Sequence, residues 1–140
     1  MLIWKMPITL ESLNTRSQDT FAKWVGIQFI EFGDDFLKAT MPVDHRTKQP
    51  LGLLNGGVSA ALAETVASTA ANYCVDQSIC YCVGLDVNAN HLRPALNGFV
   101  TAVAKPFHLG SKTQVWEIKI ENDEKKLVCI ARMTMAVVNR

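Results

Sequence analysis

The 140-residue chain lacks an excess of either charge, since 14 basic and 13 acidic residues leave a formal net charge of +1. This balance gives no general reason to expect nucleic acid or an anionic membrane as a partner. Charged residues make up only 19% of the chain and hydrophobic residues 49%, which is an ordinary globular composition. Length and composition together predict one domain, residues 1–140, with a substantial hydrophobic core.

The sequence also lacks metal-binding and redox motifs. Its four cysteines include no CxxC pair and its three histidines are scattered, so we expect no metal site and no cofactor. Reduced, structural thiols are the expectation, with Cys80 and Cys82 on one face of a strand because a single residue separates them. A phosphate-binding loop and a GxSxG elbow are missing as well.

Secretory and membrane-spanning segments are not expected. The opening MLIWKMPITLESL is broken by Lys5 and Pro7, which argues against a signal peptide. The stretch from Leu53 to Val75 has the length of a membrane span, but Glu64 and its many Ser, Thr and Asn residues argue against that interpretation. We therefore expect a cytoplasmic protein.

Hydrophobic periodicity predicts two strands, one long helix and four further strands. Thr9 is the expected N-cap of a short helix ending at Asn14. The predicted strands are Trp24–Phe32, Phe36–Met41, Ile79–Asn90, Phe99–Lys105, Gln114–Glu121 and Leu127–Val138, and the long helix is Gly57–Val75. Short connections favour antiparallel pairing, and a helix of small residues suits an α+β fold in which a curved antiparallel sheet wraps around it.

Three motifs in this order resemble those of one family. The segment PVDHRTKQPLGLLNGGVSAALAET leads into the helix, and VGLDVNANHLRP and PFHLGSKTQVW follow it. Together they resemble the hotdog-fold acyl-CoA thioesterases, most of all the bacterial aryl-CoA thioesterases that act on 1,4-dihydroxy-2-naphthoyl-CoA in menaquinone synthesis and the related proofreading enzymes of enterobactin assembly. The resemblance implies hydrolysis of an aromatic acyl-CoA by a homo-oligomer, a dimer of dimers, in which one subunit's helix glutamate lies near loops of its partner.

Glu64 is the leading candidate for the chemistry. It lies two turns beyond Gly57, so it faces the side of the helix entrance, and Ser68 shares that face one turn later. Burial among alanines should raise the pKa of this carboxyl, which suits either a general base for water or a nucleophile that forms a transient anhydride. The alternative is a glutamate on a solvated stripe of the helix.

The helix entrance supplies candidate donors for the thioester oxygen. Gly56 and Gly57 are expected to precede the helix with unpaired backbone N–H groups, where the helix dipole favours negative charge. The alternative is that these glycines only turn a loop into a helix. The resemblance places Gln49, in the preceding loop, beside the scissile carbonyl, to which its amide could donate.

One position departs from the family pattern, which usually reads HGG where this chain has Asn55, Gly56 and Gly57. Asparagine can exchange hydrogen bonds but cannot carry a proton, so we expect catalysis that is reduced rather than lost. Two other functions stay open. One is a hotdog dehydratase, which would want the histidine, and the other is a non-catalytic acyl-CoA binding module.

A group of polar residues is predicted to hold the coenzyme A handle. Basic side chains and backbone N–H groups near a strand end and in a glycine-containing loop could bind its nucleotide and pyrophosphate. Without the resemblance, the basic residues would be ordinary surface charges. The residues are His91, Arg93, His108, Gly110, Ser111 and Lys112.

Overall fold

Six antiparallel strands form one sheet, against which a single long helix packs. The computed structural model describes residues 1–140. The elements are α1 (Leu10–Thr15), α2 (Phe21–Trp24), β1 (Gln28–Phe32), β2 (Leu37–Pro42), α3 (Gly56–Tyr73), β3 (Cys80–His91), β4 (Phe99–Leu109), β5 (Thr113–Glu121) and β6 (Leu127–Asn139). The strand order is β1-β2-β4-β5-β6-β3, and every neighbouring pair is antiparallel, as predicted.

Helix α3 packs against five of the six strands, β2 to β6. Small side chains on its inner face let the sheet approach closely, while Trp116, Ile118 and Ile120 of β5 project fully buried from the sheet. The alternation predicted for β5 is confirmed, because the intervening residues are half-buried or exposed. No helix combines the length and apolar character needed to cross a membrane. The buried residues of α3 are Ser59, Leu62, Ala63, Val66, Ala67, Ala70, Ala71 and Tyr73.

The strand predicted to begin at Trp24 begins instead at Gln28, and Trp24 ends a short helix. Gly26 explains the error, because its φ of +81° is a conformation that L side chains rarely adopt. The N–H of Gly26 donates to Lys23 O (3.2 Å) and that of Ile27 to Ala22 O (2.9 Å), which together form a Schellman motif. The bulky residues before Gly26 therefore belong to α2. The other element starts and the α1 cap at Thr9 agree with prediction to within one residue.

Strand β4 continues to Leu109, past the predicted end at Lys105. A register shift between Pro106 and His108 leaves Phe107 as a bulge, so a proline without an N–H donor is accommodated inside the strand. His108 consequently lies in β4 opposite Val115 and not in the turn.

Strand β3 is an open edge of the sheet. It pairs with β6 on one side and has no strand on the other. The Asn72 side chain of α3 satisfies one position of this edge, accepting from Cys82 N–H (2.8 Å) and donating to Cys82 O (3.1 Å). Beyond it, Val83 and Leu85 are 41% and 62% exposed. A twelve-residue edge with exposed apolar side chains is a surface that another strand can extend.

All four cysteines are buried free thiols, and Cys80 and Cys82 share the inner face of β3 as predicted. Burial raises the pKa of Cys74 to about 12, with a smaller contribution from the Cys82 thiol. Burial, and then Cys80, raises the pKa of Cys82 to about 11. These thiols stay protonated in the folded chain at pH values where the unfolded chain ionises them.

The folded chain should lose stability above pH 9. The unfolded thiols release protons near their ordinary value of 9.0, whereas Cys74 and Cys82 hold theirs until about 12 and 11. The unfolding free energy should therefore fall between pH 9 and 12. Urea unfolding at about pH 8 and about pH 10.5 should show a smaller fall for a Cys74→Ala, Cys82→Ala double variant than for the wild type. An equal fall would contradict this, because the double variant lacks the two buried thiols and keeps every other ionisable group.

Candidate active site

The Asn55 side chain caps the long helix and forms a hydrogen bond with one of the two glycine N–H groups. Its Oδ1 accepts from Gly57 N–H (2.8 Å) and Val58 N–H (3.3 Å). Helix α3 begins at Gly56, so the glycines are its first two residues and do not precede it as predicted. Only the Gly56 N–H remains without an acceptor in the chain. The entrance of α3 thus offers one free backbone donor where the helix dipole favours negative charge.

The cap also limits what the Asn55 side chain can do. Its Oδ1 is committed to the helix, while its Nδ2 donates to no acceptor in the chain. The side chain was expected both to donate and to accept hydrogen bonds in the site. Because its acceptor, Oδ1, already binds the helix N–H groups, only the donor Nδ2 is available. Its backbone N–H donates to Thr47 O (2.8 Å), which fastens the preceding loop to the entrance of α3.

Gln49 lies in this loop, and its side-chain NH₂ is a donor without a partner in the chain. Its backbone N–H donates to Leu53 O (2.8 Å), and Lys48 and Leu54 form an isolated antiparallel bridge. Its Oε1 accepts from Leu51 N–H, and its Nε2 has no acceptor in the chain. The loop therefore engages the backbone N–H and the side-chain oxygen of Gln49 and leaves its side-chain NH₂ free.

A histidine does reach the helix entrance, but it comes from β3. A Cβ placed on Gly56 would lie 2.9 Å from His91 Nε2, closer than Cβ atoms in proteins approach other atoms. The imidazole can pack there because position 56 has no side chain. Gly56, His91 and Arg93 line one cleft of about 430 Å³. The spacing of these residues in the sequence gave no sign of this contact, since 34 residues separate Gly56 from His91.

Ser59 is a residue of this cleft that the sequence analysis missed. Its relative exposure is only 2%, yet its hydroxyl makes no hydrogen bond in the chain. Every fully enclosed side-chain nitrogen or oxygen has a partner, so this hydroxyl opens to the cleft. The sequence could have indicated it, because Ser59 follows Gly56 by three residues and so lies on the same face of the helix.

Glu64 lies apart from the cleft, at the open edge of β3. It is exposed in the single chain, so the burial that was expected from its alanine neighbours is not present there. A Cβ on Gly84 would lie 2.6 Å from Glu64 Oε2 and would also meet Met133 Cε. The carboxylate makes no hydrogen bond or ion pair in the chain. Ser68, one turn later, is half-buried with a free hydroxyl.

The predicted handle residues divide into two groups. His91 and Arg93 join the cleft at Gly56, and Arg93 Nη1 donates to Leu127 O (2.9 Å). Of the others, His108 lies near the end of β4, and the remaining three form the turn between β4 and β5, where the Gly110 N–H donates to Thr113 O (2.9 Å) and cannot bind pyrophosphate as predicted. The N–H groups of Ser111 and Lys112 have no acceptor, and the His108 ring packs on Gly110. No three His, Cys, Asp or Glu side chains lie close enough together to hold a metal ion.

Comparison with known proteins gives consistent matches along the chain. The family model described as the thioesterase superfamily matches residues 51–129. An Escherichia coli protein named 1,4-dihydroxy-2-naphthoyl-CoA hydrolase is 48% identical, with 98% of this chain and all of that protein covered. A Cronobacter turicensis protein named proofreading thioesterase EntH is 45% identical, with 98% and 99% covered. The crystal structure of a mutant thioesterase from Pseudomonas aeruginosa matches with a TM-score of 0.97 at 51% identity, covering 99% of both chains.

The capping role of Asn55 predicts separate effects for two substitutions. Asn55→Ala removes the Oδ1 acceptor and should lower the unfolding free energy by about 1 kcal/mol. Asn55→Asp keeps an acceptor of the same shape and should retain the stability of the wild type, since a negative charge is favourable at a helix N-terminus. Urea unfolding at neutral pH measures both. Equal stability of the Ala and Asp variants would show that the cap contributes nothing.

Proposed function

Because the chain belongs to the thioesterase superfamily and is a thioesterase, we propose that it hydrolyses aromatic acyl-CoA substrates of the 1,4-dihydroxy-2-naphthoyl-CoA or benzoyl-CoA type. The name of its E. coli relative supports an aryl-CoA substrate and a place in menaquinone synthesis, and the name of its Cronobacter relative supports thioester hydrolysis. The apolar lining of the cleft, which includes Leu53, Leu92 and Val128, suits an acyl-CoA substrate better than a purely polar one. The non-catalytic alternative is not favoured.

The observation that carries this proposal is the free Glu64 carboxylate seated on Gly84. With no partner in the chain, both of its oxygens are available to the reaction. It either takes a proton from the water that attacks the thioester carbon, or attacks that carbon itself, expelling the CoA thiolate and leaving an anhydride that water cleaves. The Ser68 hydroxyl, one helical turn away, is placed to orient the water.

Donors at the entrance of α3 would polarise the thioester carbonyl. The Gly56 N–H and the helix dipole provide the first, and the free amides of Gln49 and Asn55 provide two more. His91 lies over Gly56 and adds a side chain that can hold or move a proton, which Asn55 cannot do. Arg93, together with Lys112 and Ser111 of the β4–β5 turn and His108 near the end of β4, would bind the CoA handle.

Glu64 and the donors that it needs are far apart within one chain. Glu64 follows Gly56 by eight residues, about 12 Å along the helix axis. One thioester group can contact a donor and a carboxylate, each at about 3 Å, only if these two groups are closer together than Gly56 and Glu64 are within one chain. If two β3 edges pair antiparallel about an axis near Val87, Gly84 comes opposite His91 of the partner subunit. The Glu64 carboxylate would then face the other helix entrance, and the site would be shared between two subunits.

Such a dimer would also cover the open edge of β3. The outer face of the sheet adds a second apolar surface, with Val83 opposite Ala136 in the β3–β6 ladder and Val115 on the adjacent β5. Covering that face as well would give a dimer of dimers, the assembly that the family resemblance implies.

Replacing the Glu64 carboxylate should remove turnover without removing binding. Glu64→Gln should lower kcat for benzoyl-CoA and 2-naphthoyl-CoA by at least ~10²-fold, because a positioned base or nucleophile commonly contributes that much. Lys112→Ala is the matched control and should mainly raise KM. Release of free thiol measures both. Full activity in Glu64→Gln would exclude the mechanism, and turnover only of hydroxyacyl-CoA to an enoyl product would indicate the dehydratase.

A shared site predicts recovery of activity when two inactive variants are mixed. In a heterodimer of Glu64→Gln and Gln49→Ala chains, one site carries both substitutions and the other carries neither. Random reassociation should restore about a quarter of wild-type activity. Glu64→Gln mixed with Ser68→Ala is the matched control, because both residues belong to the same half-site and no intact site can form. A mixture no more active than its components, or a stable active monomer, would refute the shared site.

A further inference from the structure

Gln114 is a buried polar residue that the proposed reaction does not use. It is the second residue of β5, on the inner face, with a relative exposure of 2%. Its Oε1 accepts from the Trp116 indole N–H (2.9 Å), which fixes the orientation of the amide. Its Nε2 donates to no acceptor in the chain. Since every fully enclosed side-chain nitrogen has a partner, this NH₂ must open to a space.

That space is a cavity of about 340 Å³ at the end of the sheet remote from Gly56. Nine of its fourteen lining residues are hydrophobic, among them Val75, Ile79 and Val137, so it has the size and character of a small-molecule site. Neither Glu64 nor any residue of the Gly56 cleft lines it. It is therefore distinct from the candidate active site, although Gly110 and Ser111 of the β4–β5 turn contribute to its wall.

The walls of this cavity are fastened to the rest of the fold. The backbone N–H of Lys5 donates to Tyr73 O (2.8 Å) at the end of α3, and that of Ile3 donates to Asp34 O (3.0 Å). The Trp4 indole donates to Gly33 O (2.7 Å). The N-terminal segment that closes one side is thus held in place by hydrogen bonds, and the cavity is largely formed before any ligand enters.

Charge at the rim indicates what the cavity would accept. Lys5 lines it and forms no ion pair in the chain. Asp76 is the one carboxylate on the lining, and its Oδ1 is occupied by Ser78 N–H (3.0 Å) and Ser78 Oγ (2.6 Å). Asp76 Oδ2 makes no hydrogen bond, but Gln114 Nε2 and the Lys5 ammonium are also without partners, and these two donors favour an acceptor that carries negative charge.

We propose that this cavity binds a small apolar carboxylate, with its hydrocarbon part against Val75, Ile79 and Val137 and its carboxylate between Gln114 Nε2 and the Lys5 ammonium. Such a ligand satisfies the donor that Gln114 leaves free and buries apolar surface. Apart from Ser111, which the CoA handle would also reach, no residue that lines this cavity takes part in the proposed reaction.

Benzoate is a suitable probe, and the Trp116 indole reports on the site directly. Because this N–H donates to the Gln114 amide, occupation of the amide should shift its ¹H–¹⁵N resonance. The indole resonances of Trp4 and Trp24 should stay in place. Benzyl alcohol, which keeps the ring without the charge, should bind roughly 10-fold more weakly or worse, since hydrogen bonds to charged groups are the stronger ones.

Two variants and one control decide the assignment. Gln114→Glu keeps an oxygen acceptor for Trp116 but replaces the donor by a negative charge, and should abolish benzoate binding. Lys5→Gln, on the surface, should weaken benzoate roughly 10-fold and leave benzyl alcohol unchanged, which tests the site even if the buried variant does not fold. Lys126→Gln, on the β5–β6 hairpin, should change neither. No shift of Trp116, equal affinities in all variants, or displacement of benzoate by CoA would overturn the proposal.

Discussion

Close approach between the sheet and α3 is the constraint on which the rest of the structure depends. Alanines at positions 63, 67, 70 and 71 let five strands pack on one helix, and most of the larger side chains of the core come from the sheet. A helix so nearly enclosed has few positions that reach a substrate. They are its N-terminus, where the chain enters from a loop, and the stripe that passes the open edge of β3.

Both of these positions depend on a glycine opposite a functional side chain. Gly56 leaves room for the His91 ring, and Gly84 leaves room for the Glu64 carboxylate. In each case a side chain of one element occupies the space that a Cβ on the glycine of the other element would need. Gly56 and Glu64 belong to the helix, whereas His91 and Gly84 belong to β3, so the same strand provides one half of each contact. The open edge of the sheet is therefore also the strand that positions both candidate side chains.

Much of the fold followed from local patterns in the sequence. The run of small residues after Asn55 predicted α3, and alternation around Trp116 predicted β5 and its buried face. The family motifs predicted a hotdog thioesterase, and the superfamily match and solved relatives confirm it. The strand predicted at Trp24 was wrong because bulky residues favour strands by propensity, whereas a left-handed glycine two residues later ends a helix. Side-chain contacts were beyond such patterns. The His91 contact joins segments that are distant in the sequence. The position of Gln114 at the start of a predicted strand gave no sign that its side chain would be buried.

The substitution of asparagine for histidine at position 55 can be understood from these contacts. A side chain just before α3 can cap the helix or serve the substrate, and Asn55 Oδ1 caps it. The Gly57 N–H is thereby removed from the site, while the Gly56 N–H and the Asn55 Nδ2 stay free. An ionisable ring is still present at the entrance, because His91 packs on Gly56 from β3. A single histidine before the glycines would have to cap the helix and also handle a proton. In this chain Asn55 caps the helix, and His91 is the side chain that could handle the proton. We therefore consider the absence of histidine at position 55 compatible with a working thioesterase.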